Sequence, residues 1–385
     1  MDLATDARDA RQTSSPRYDY MDSLRAVLIV GGILFHAALP YRATGDWNVK
    51  EAHGSTAFDY LSAALSAFRM PLFFFVAGYF CAMTFSSRHA TANLRRRLRV
   101  FGIPLAVFII TVQPLQHALR WSAKHPGPLN AGFDASGFWH SYVSTGSFIS
   151  HLWFLVNLIV YYCMAYAVLM LLAQRKTLQR RLECGAMALP IWLVRSKTML
   201  ALVCAVLVFP AYGLLGRIPK VPGFSVEDLA LYLPFFLAGY FCYPAGGMMN
   251  EMSEVQALDA VMLTAGILLL LSSRMTSEAA VGFLSIWLFY QAAWTIGMLV
   301  LQAFRRWFDI ANPVMRAISD ASYTIYLFHH VIVILLATLL VGISLPGGLW
   351  AKYGFVVIVT FLATFMLHHF VIRRHGTLSM LFNGR

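Results

Sequence analysis

The feature that most constrains this chain is an apolar run of about 20 residues that recurs, with short polar breaks, from Leu24 to the C-terminus. A run of that length crosses the hydrocarbon of a bilayer as a helix, at ~1.5 Å per residue. Inside the bilayer no water pairs with the backbone, so each crossing must satisfy its own amides and carbonyls. The expected fold is an all-α polytopic membrane protein with about ten transmembrane helices. The runs fall at 24–42, 61–85, 101–119, 149–173, 198–215, 229–247, 256–273, 279–303, 319–342 and 349–372. Composition agrees: 59% of residues are hydrophobic and 12% charged, against roughly 25% charged in a soluble domain.

The formal net charge of +12 raises the question of nucleic acid, but its placement answers it. Lys and Arg lie in clusters between the runs, where cytoplasmic loops of a membrane protein carry them. The N-terminal stretch, every second loop and the C-terminus together hold 20 of the 30 basic residues, among them Arg95, Arg96, Arg97 and Arg99. The other side holds eight, including Arg42, Arg120, Lys220 and Lys352, and Arg25 and Arg69 lie inside runs. Both termini are therefore expected in the cytoplasm. The organisation is a cytoplasmic N-terminal tail (1–18), a transmembrane domain (19–373) and a cytoplasmic C-terminal tail (374–385). The lipid bilayer is the first partner and nucleic acid is not one; a homo-oligomer is compatible with the sequence. The first run carries His36 at its centre and reads as a retained helix, not a cleaved signal. Five cysteines show no metal-ligand spacing and read as packing residues, so no metal is expected. An internal echo, FFVAGYFC at 74–81 and FFLAGYFC at 235–242, reads as similar local packing through small residues.

Ionisable side chains at bilayer depth are costly, which makes each a functional candidate. His36 follows Arg25 by 11 residues, three turns plus roughly 20°, so the two share a face with His36 about 16 Å further along. Arg69 has no acidic residue at mid-span as an obvious partner, which suits an anionic ligand or a developing negative charge; a structural ion pair is the plainer reading. Tyr326 and His330 share a face of the ninth run, and of the neighbours His329 and His330 one is expected to face inward while the other packs. His151, Trp153 and Asn157 gather near the outer end of the fourth run as a candidate cavity wall. Arg96 and Arg99 suit either headgroup contact or the phosphates of a cytosolic cofactor. Acyl transfer from a thioester to an alcohol needs a base and positive charge at the oxyanion. Histidine and arginine supply these, and no G-x-S-x-G elbow or P-loop is present. A proton-coupled carrier also uses buried His and Arg.

MDSLRAVLIVGGILFHAALPY, with Arg25 and His36, resembles the first-helix signature of the acyltransferase-3 family of integral membrane acyltransferases. FRMPLFFFVAGYF (68–80), RLRVFGIP (97–104), ISHLWFLVNLIVYY (149–162), LYLPFFLAGY (231–240) and ASYTIYLFHH (321–330) follow in that family's order. The particular resemblance, in HLWFL, YLPFF and the paired histidines, is to members that succinylate periplasmic glucans in the bacterial inner membrane. It implies a multi-pass inner-membrane enzyme with succinyl-CoA as cytosolic co-substrate, no tightly bound cofactor, and a periplasmic glucan as acceptor. It carries essential function onto Arg25 and His36. The expected catalytic set is His36, Arg25, Arg69 and His330, with His329, Tyr326, Trp153, Asn157 and His151 binding substrate, and Arg96 and Arg99 the CoA phosphates. Two other readings stay open: an O-acetyltransferase of O-antigen or exopolysaccharide, and a carrier or flippase with Arg25 and His36 as a relay.

Overall fold

The structure is a computed structural model that describes residues 19–86, 89–124, 134–173, 190–245, 247–271, 277–310 and 312–384. Among these residues every regular element is a helix, with two isolated bridges, Arg42–Ser55 and Val221–Phe224. Eight helices are long and apolar enough to cross a membrane: Asp19–Tyr41, Thr56–Phe85, Ala90–Ala123, Ser150–Ala173, Lys197–Leu215, Glu278–Trp307, Pro313–Leu340 and Gly348–Ile372. The runs expected at 229–247 and 256–273 form shorter helices, Val226–Cys242 and Ala257–Leu271, of 17 and 15 residues. The first of these stops at Cys242, two residues before Pro244, which cannot donate a helical hydrogen bond. The N-terminal tail, Cys184 and the basic residues between 174 and 181 lie outside the described residues.

We name the helices that build the site α1 (Asp19–Ala38), α2 (Thr56–Phe85), α3 (Ala90–Lys124), α4 (Ala135–Ser144) and α5 (Trp153–Ala173). Further along come α6 (Ile191–Arg195), α7 (Lys197–Leu215) and α8 (Val226–Cys242). Local sequence sets their starts. Ser55, Asp134, Ser196 and Ser225 each accept a hydrogen bond from a first-turn amide, satisfying donors that a helix leaves open. In α12 (Pro313–Leu340), Asn312 Oδ1 accepts from the amides of Val314 (2.9 Å) and Met315 (3.2 Å). Between α8 and α12 lie α9 (Met248–Ser253), α10 (Ala257–Leu271) and α11 (Glu278–Trp307); α13 (Gly348–Met366) and α14 (Gly376–Asn383) close the chain.

The two copies of the repeated octapeptide meet. A Cβ on Gly78 would strike the carbonyl of Phe236, and one on Gly239 would strike the carbonyl of Phe75. The backbones of α2 and α8 therefore touch where only hydrogen fits, as small residues allow between membrane helices. Around this crossing Phe74, Phe75, Phe235, Phe236, Trp294 and Tyr161 form the main core.

Two expected loop charges are built into helices instead. Lys352 is buried at the start of α13 and pairs with buried Glu51. Arg120, near the end of α3, donates to Ser150 Oγ at 2.6 Å. The expected C-terminal tail also has structure: α14 packs against α3, and Thr324 Oγ1 donates to Asn383 Oδ1 at 3.1 Å. Its start falls at the end of the π-helical turn Leu367–Ile372, whose His368 Nδ1 lies 2.9 Å from Thr324 Oγ1.

Candidate active site

Between α1, α2, α5, α8 and α12 lies a cavity of about 230 Å³, lined by His36, Arg69, His151, Tyr232, Tyr326 and His329 together with Gly32 and Trp153. Four imidazoles gather around it. The His36 ring sits 4.6 Å from that of His330 and 5.2 Å from that of His329. His151 stacks on His330 at 4.7 Å. Of the two neighbours His329 lines the cavity, and His330 packs beside it, its ring against those of His36 and His151. Adjacent residues on a helix point about 100° apart, but α1 and α5 approach α12 from two directions, so each histidine meets a partner.

Three of the four rings have their protonation sites fixed by the backbone or by glutamine. His151 Nε2 lies 3.1 Å from Leu327 O, which can only accept, so that nitrogen carries the hydrogen. His329 Nδ1 likewise donates to Ile325 O (3.0 Å) and Tyr326 O (2.8 Å). For His330 the logic runs through two glutamines. Gln113 Nε2 donates to Ile149 O at 3.0 Å, so Gln113 Oε1 must accept from Gln116 Nε2, at 2.8 Å. Gln116 Oε1 is then the acceptor for His330 Nδ1 at 2.8 Å. When neutral, these rings therefore offer His151 Nδ1, His329 Nε2 and His330 Nε2 as acceptors. His151 Nδ1 and His329 Nε2 are buried and without a partner. His36 differs. Among the described residues no hydrogen bond holds its ring, and its buried Nδ1 is unpartnered.

Arg69 supplies the positive charge. Its guanidinium lies over the ring of Phe35 at 5.0 Å, with Nε unpartnered. No carboxylate pairs with it among the described residues, so the plainer reading of a structural ion pair fails. Gly32 makes the approach possible: a Cβ there would sit 3.1 Å from the Arg69 guanidinium and 4.0 Å from His329 Nε2. Pro71, inside α2, removes one helical hydrogen bond two residues beyond the arginine.

Arg25 is not in this cavity. It pairs with Asp22 at 3.7 Å and lines a second chamber of about 340 Å³ with Arg96, Arg97, Tyr162 and Tyr323. The two spaces share Ile29, Phe73, Phe154 and Tyr326, so they adjoin along the face of α1 that carries Arg25, Ile29, Gly32 and His36. Arg96 also lines an open depression of about 600 Å³ with Arg95, Arg99 and His89. Asn157 lies at the opposite end, in a pocket of about 480 Å³ that shares Trp153 with the histidine cavity. Gln113, Gln116, Ser150, Arg120 and Tyr232 are site residues that the sequence did not single out. The spacing of Gln113, Gln116 and Arg120 on one face of α3 was the available signal.

A fixed cation, a free imidazole and further acceptors, enclosed among membrane helices, can activate a hydroxyl and hold an oxyanion. The Acyltransferase domain family (acyltransferase 3) matches residues 18–369, and the chain belongs to it. It is a multi-pass membrane protein of that family. Its relatives include glucans biosynthesis protein C of Salmonella typhimurium and of Salmonella typhi, each 26% identical over 234 residues, 60% of this chain and 59% of the relative. The protein of that name from Salmonella paratyphi B is 31% identical over 147 residues, 38% of this chain and 37% of the relative. The chain thus spans about three fifths of the length of the Salmonella typhimurium protein. No solved structure matches it.

Proposed function

We propose that the protein transfers a succinyl group from cytosolic succinyl-CoA to hydroxyls of a periplasmic glucan, in the bacterial inner membrane. The observation that carries this reading is His36, half-buried and unrestrained, facing the same cavity as the unpaired Arg69. The basic end is the cytoplasmic one by the charge asymmetry. CoA phosphates bind Arg96 and Arg99, and the acyl end enters the chamber past Arg25, whose charge meets the thioester arm on its way in. His36 takes the proton of the incoming hydroxyl as its oxygen bonds to the thioester carbonyl carbon. Arg69 faces the oxyanion and the succinyl carboxylate, and His330, its Nε2 left as an acceptor, packs beside the His36 ring and helps orient it. Collapse breaks the carbon–sulfur bond, and the proton on His36 passes to the CoA thiolate. The glucan reaches the cavity past Trp153 and Asn157, with His151, His329 and Tyr326 lining the meeting point. Glucan as acceptor is supported by the name of the Salmonella relatives, and succinyl as the group rests on the family resemblance of the sequence motifs.

The test is His36→Ala in purified protein supplied with succinyl-CoA and unsubstituted glucan. A positioned base contributes about 10²–10⁴-fold, so transfer should fall by that much while the protein stays folded in the membrane. Transfer at near-normal rate would remove His36 as base. Mass analysis of the wild-type product separates the readings: acetyl in place of succinyl substituents would favour an O-acetyltransferase, and glucan uptake without CoA release would favour a carrier.

A further inference from the structure

The pocket of about 480 Å³ at the end opposite the arginines has a lining unlike the rest of the molecule. Ser150 comes from the turn before α5, Trp153 and Asn157 from the start of α5, Lys220 from the approach to α8, and Glu227 and Asp228 from its first turn. Asn157 is 2% exposed, yet its Nδ2 has no partner. A buried amide donor left unpaired is a standing cost, and one that lines a cavity is recovered when a ligand accepts from it. Trp153 stands between this pocket and the histidine cavity and lines both.

The pocket is held in shape by its backbone. Gly146 (φ +67°) and Gly223 (φ +75°) abut, each where a Cβ would collide: Gly146 with Gly223 itself, Gly223 with Ile149. Ser150 adopts φ 44°, a left-handed conformation unusual for a residue with a side chain. That twist points its hydroxyl toward α3, where it accepts from Arg120 and Gln116, while His151 next to it faces the catalytic cavity. Backbone strain of this kind persists where the surroundings over-determine it.

We propose that this pocket is the acceptor subsite and that it binds an uncharged sugar ring of the chain whose neighbouring hydroxyl enters the histidine cavity. This rests on the acyl-transfer reading above and goes further by naming the pocket and the charge state of its ligand. The chemistry matches a polyol. The Asn157 amide donates, the Asp228 carboxylate accepts from hydroxyls, and the indole of Trp153 offers an apolar face to ring C–H groups. Glu227 is already engaged, accepting from Ser225 Oγ at 3.0 Å. Two carboxylates against one lysine disfavour an anionic acceptor.

Initial rates with purified protein in nanodiscs, varying glucan oligosaccharide at saturating succinyl-CoA and the reverse, test the assignment. Asp228→Asn and Asn157→Ala should each raise KM for glucan about tenfold, the equivalent of one lost hydrogen bond to a charged or buried partner. KM for succinyl-CoA should stay within about twofold. Asp228→Asn is nearly isosteric and half-buried, so it keeps the test open if Asn157→Ala fails to fold. An unchanged KM for glucan in Asp228→Asn overturns the subsite. So does tighter binding of a glucosamine oligomer or of an anionic oligosaccharide than of the glucose oligomer. If the wild type transfers no acyl group to any glucan, the functional reading itself fails, which a normal wild-type rate with unaffected variants does not imply.

Discussion

His330 owes its orientation to Gln116, and this dependence is the most direct test of the site at the level of single residues. The 2.8 Å contact from His330 Nδ1 to Gln116 Oε1 leaves Nε2 as the acceptor, in a ring that lies 4.6 Å from that of His36. Leucine at 116 removes the acceptor, frees the tautomer and strands His330 Nδ1 in a buried place. Gln116→Leu should lower kcat about tenfold to a hundredfold with KM for succinyl-CoA nearly unchanged, because the loss falls on the transition state. Gln116→Glu keeps an acceptor at the same place and should recover part of the rate. Equal loss in both variants, or loss confined to KM, would remove the positioning role. His36, Arg69 and the paired histidines were legible in the sequence, because a charge or imidazole amid apolar residues stands out against its cost. Gln113 and Gln116 were not. A glutamine carries no charge, and the value of these two depends on Ile149 and His330, which are far from them in the chain. Arg25 shows the opposite limit. The 3.6-residue period placed it on the same face as His36, and the structure keeps that face. Periodicity does not say that the face passes through two chambers, so Arg25 lies in the one with Arg96 and not beside the base.

Between helices, the decisive contact is the crossing of α2 and α8. Arg69 lies on α2 and Tyr232 on α8, so the spacing of these two helices sets the width of the histidine cavity. A methyl at Gly239 meets the Phe75 carbonyl, a backbone atom that cannot swing aside. Overpacking of this kind costs about 1–3 kcal/mol. Gly239→Ala should therefore lower the thermal unfolding midpoint of the purified protein and reduce kcat together. Gly213→Ala, where a Cβ meets nothing within 4 Å, is the control and should leave both unchanged. A normal midpoint in Gly239→Ala would mean that the backbones separate without penalty. The sequence showed the echo of the two octapeptides but not that they face each other, since a repeat specifies a shape twice without specifying its partner. It also drew 229–247 as a full crossing, where the helix stops at Cys242, two residues before Pro244. It read residues 374–385 as a tail, because an eight-residue helix with little hydropathy becomes stable only against a surface such as α3.

Across the whole molecule, three spaces lie in series: the chamber with Arg25 and Arg96, the histidine cavity, and the pocket with Asn157. Neighbouring spaces share lining residues, four in the first step and Trp153 in the second. The series itself was not legible beforehand, although His151, Trp153 and Asn157 already read as a cavity wall. Apolar runs and charge counts define which segments cross and which ends are basic, whereas a passage arises from side chains of α1, α2, α3, α5 and α12 that meet only after packing. On the proposed function, such an arrangement lets two substrates approach from opposite sides and react without opening a water-filled path between them, which would protect the thioester from hydrolysis. The arrangement makes a directional prediction. Ala77 lines the first chamber and neither of the other two, so a phenyl ring there narrows only the donor's route. Ala77→Phe should raise KM for succinyl-CoA about tenfold or more, while KM for glucan stays near its wild-type value. Two-substrate kinetics on the purified variant read both numbers from one data set. A rise confined to glucan would reverse the assignment of the two ends. A wild-type KM for succinyl-CoA would mean that the acyl arm does not travel through this chamber, and Arg25 and Arg96 would then lose their part in guiding the donor.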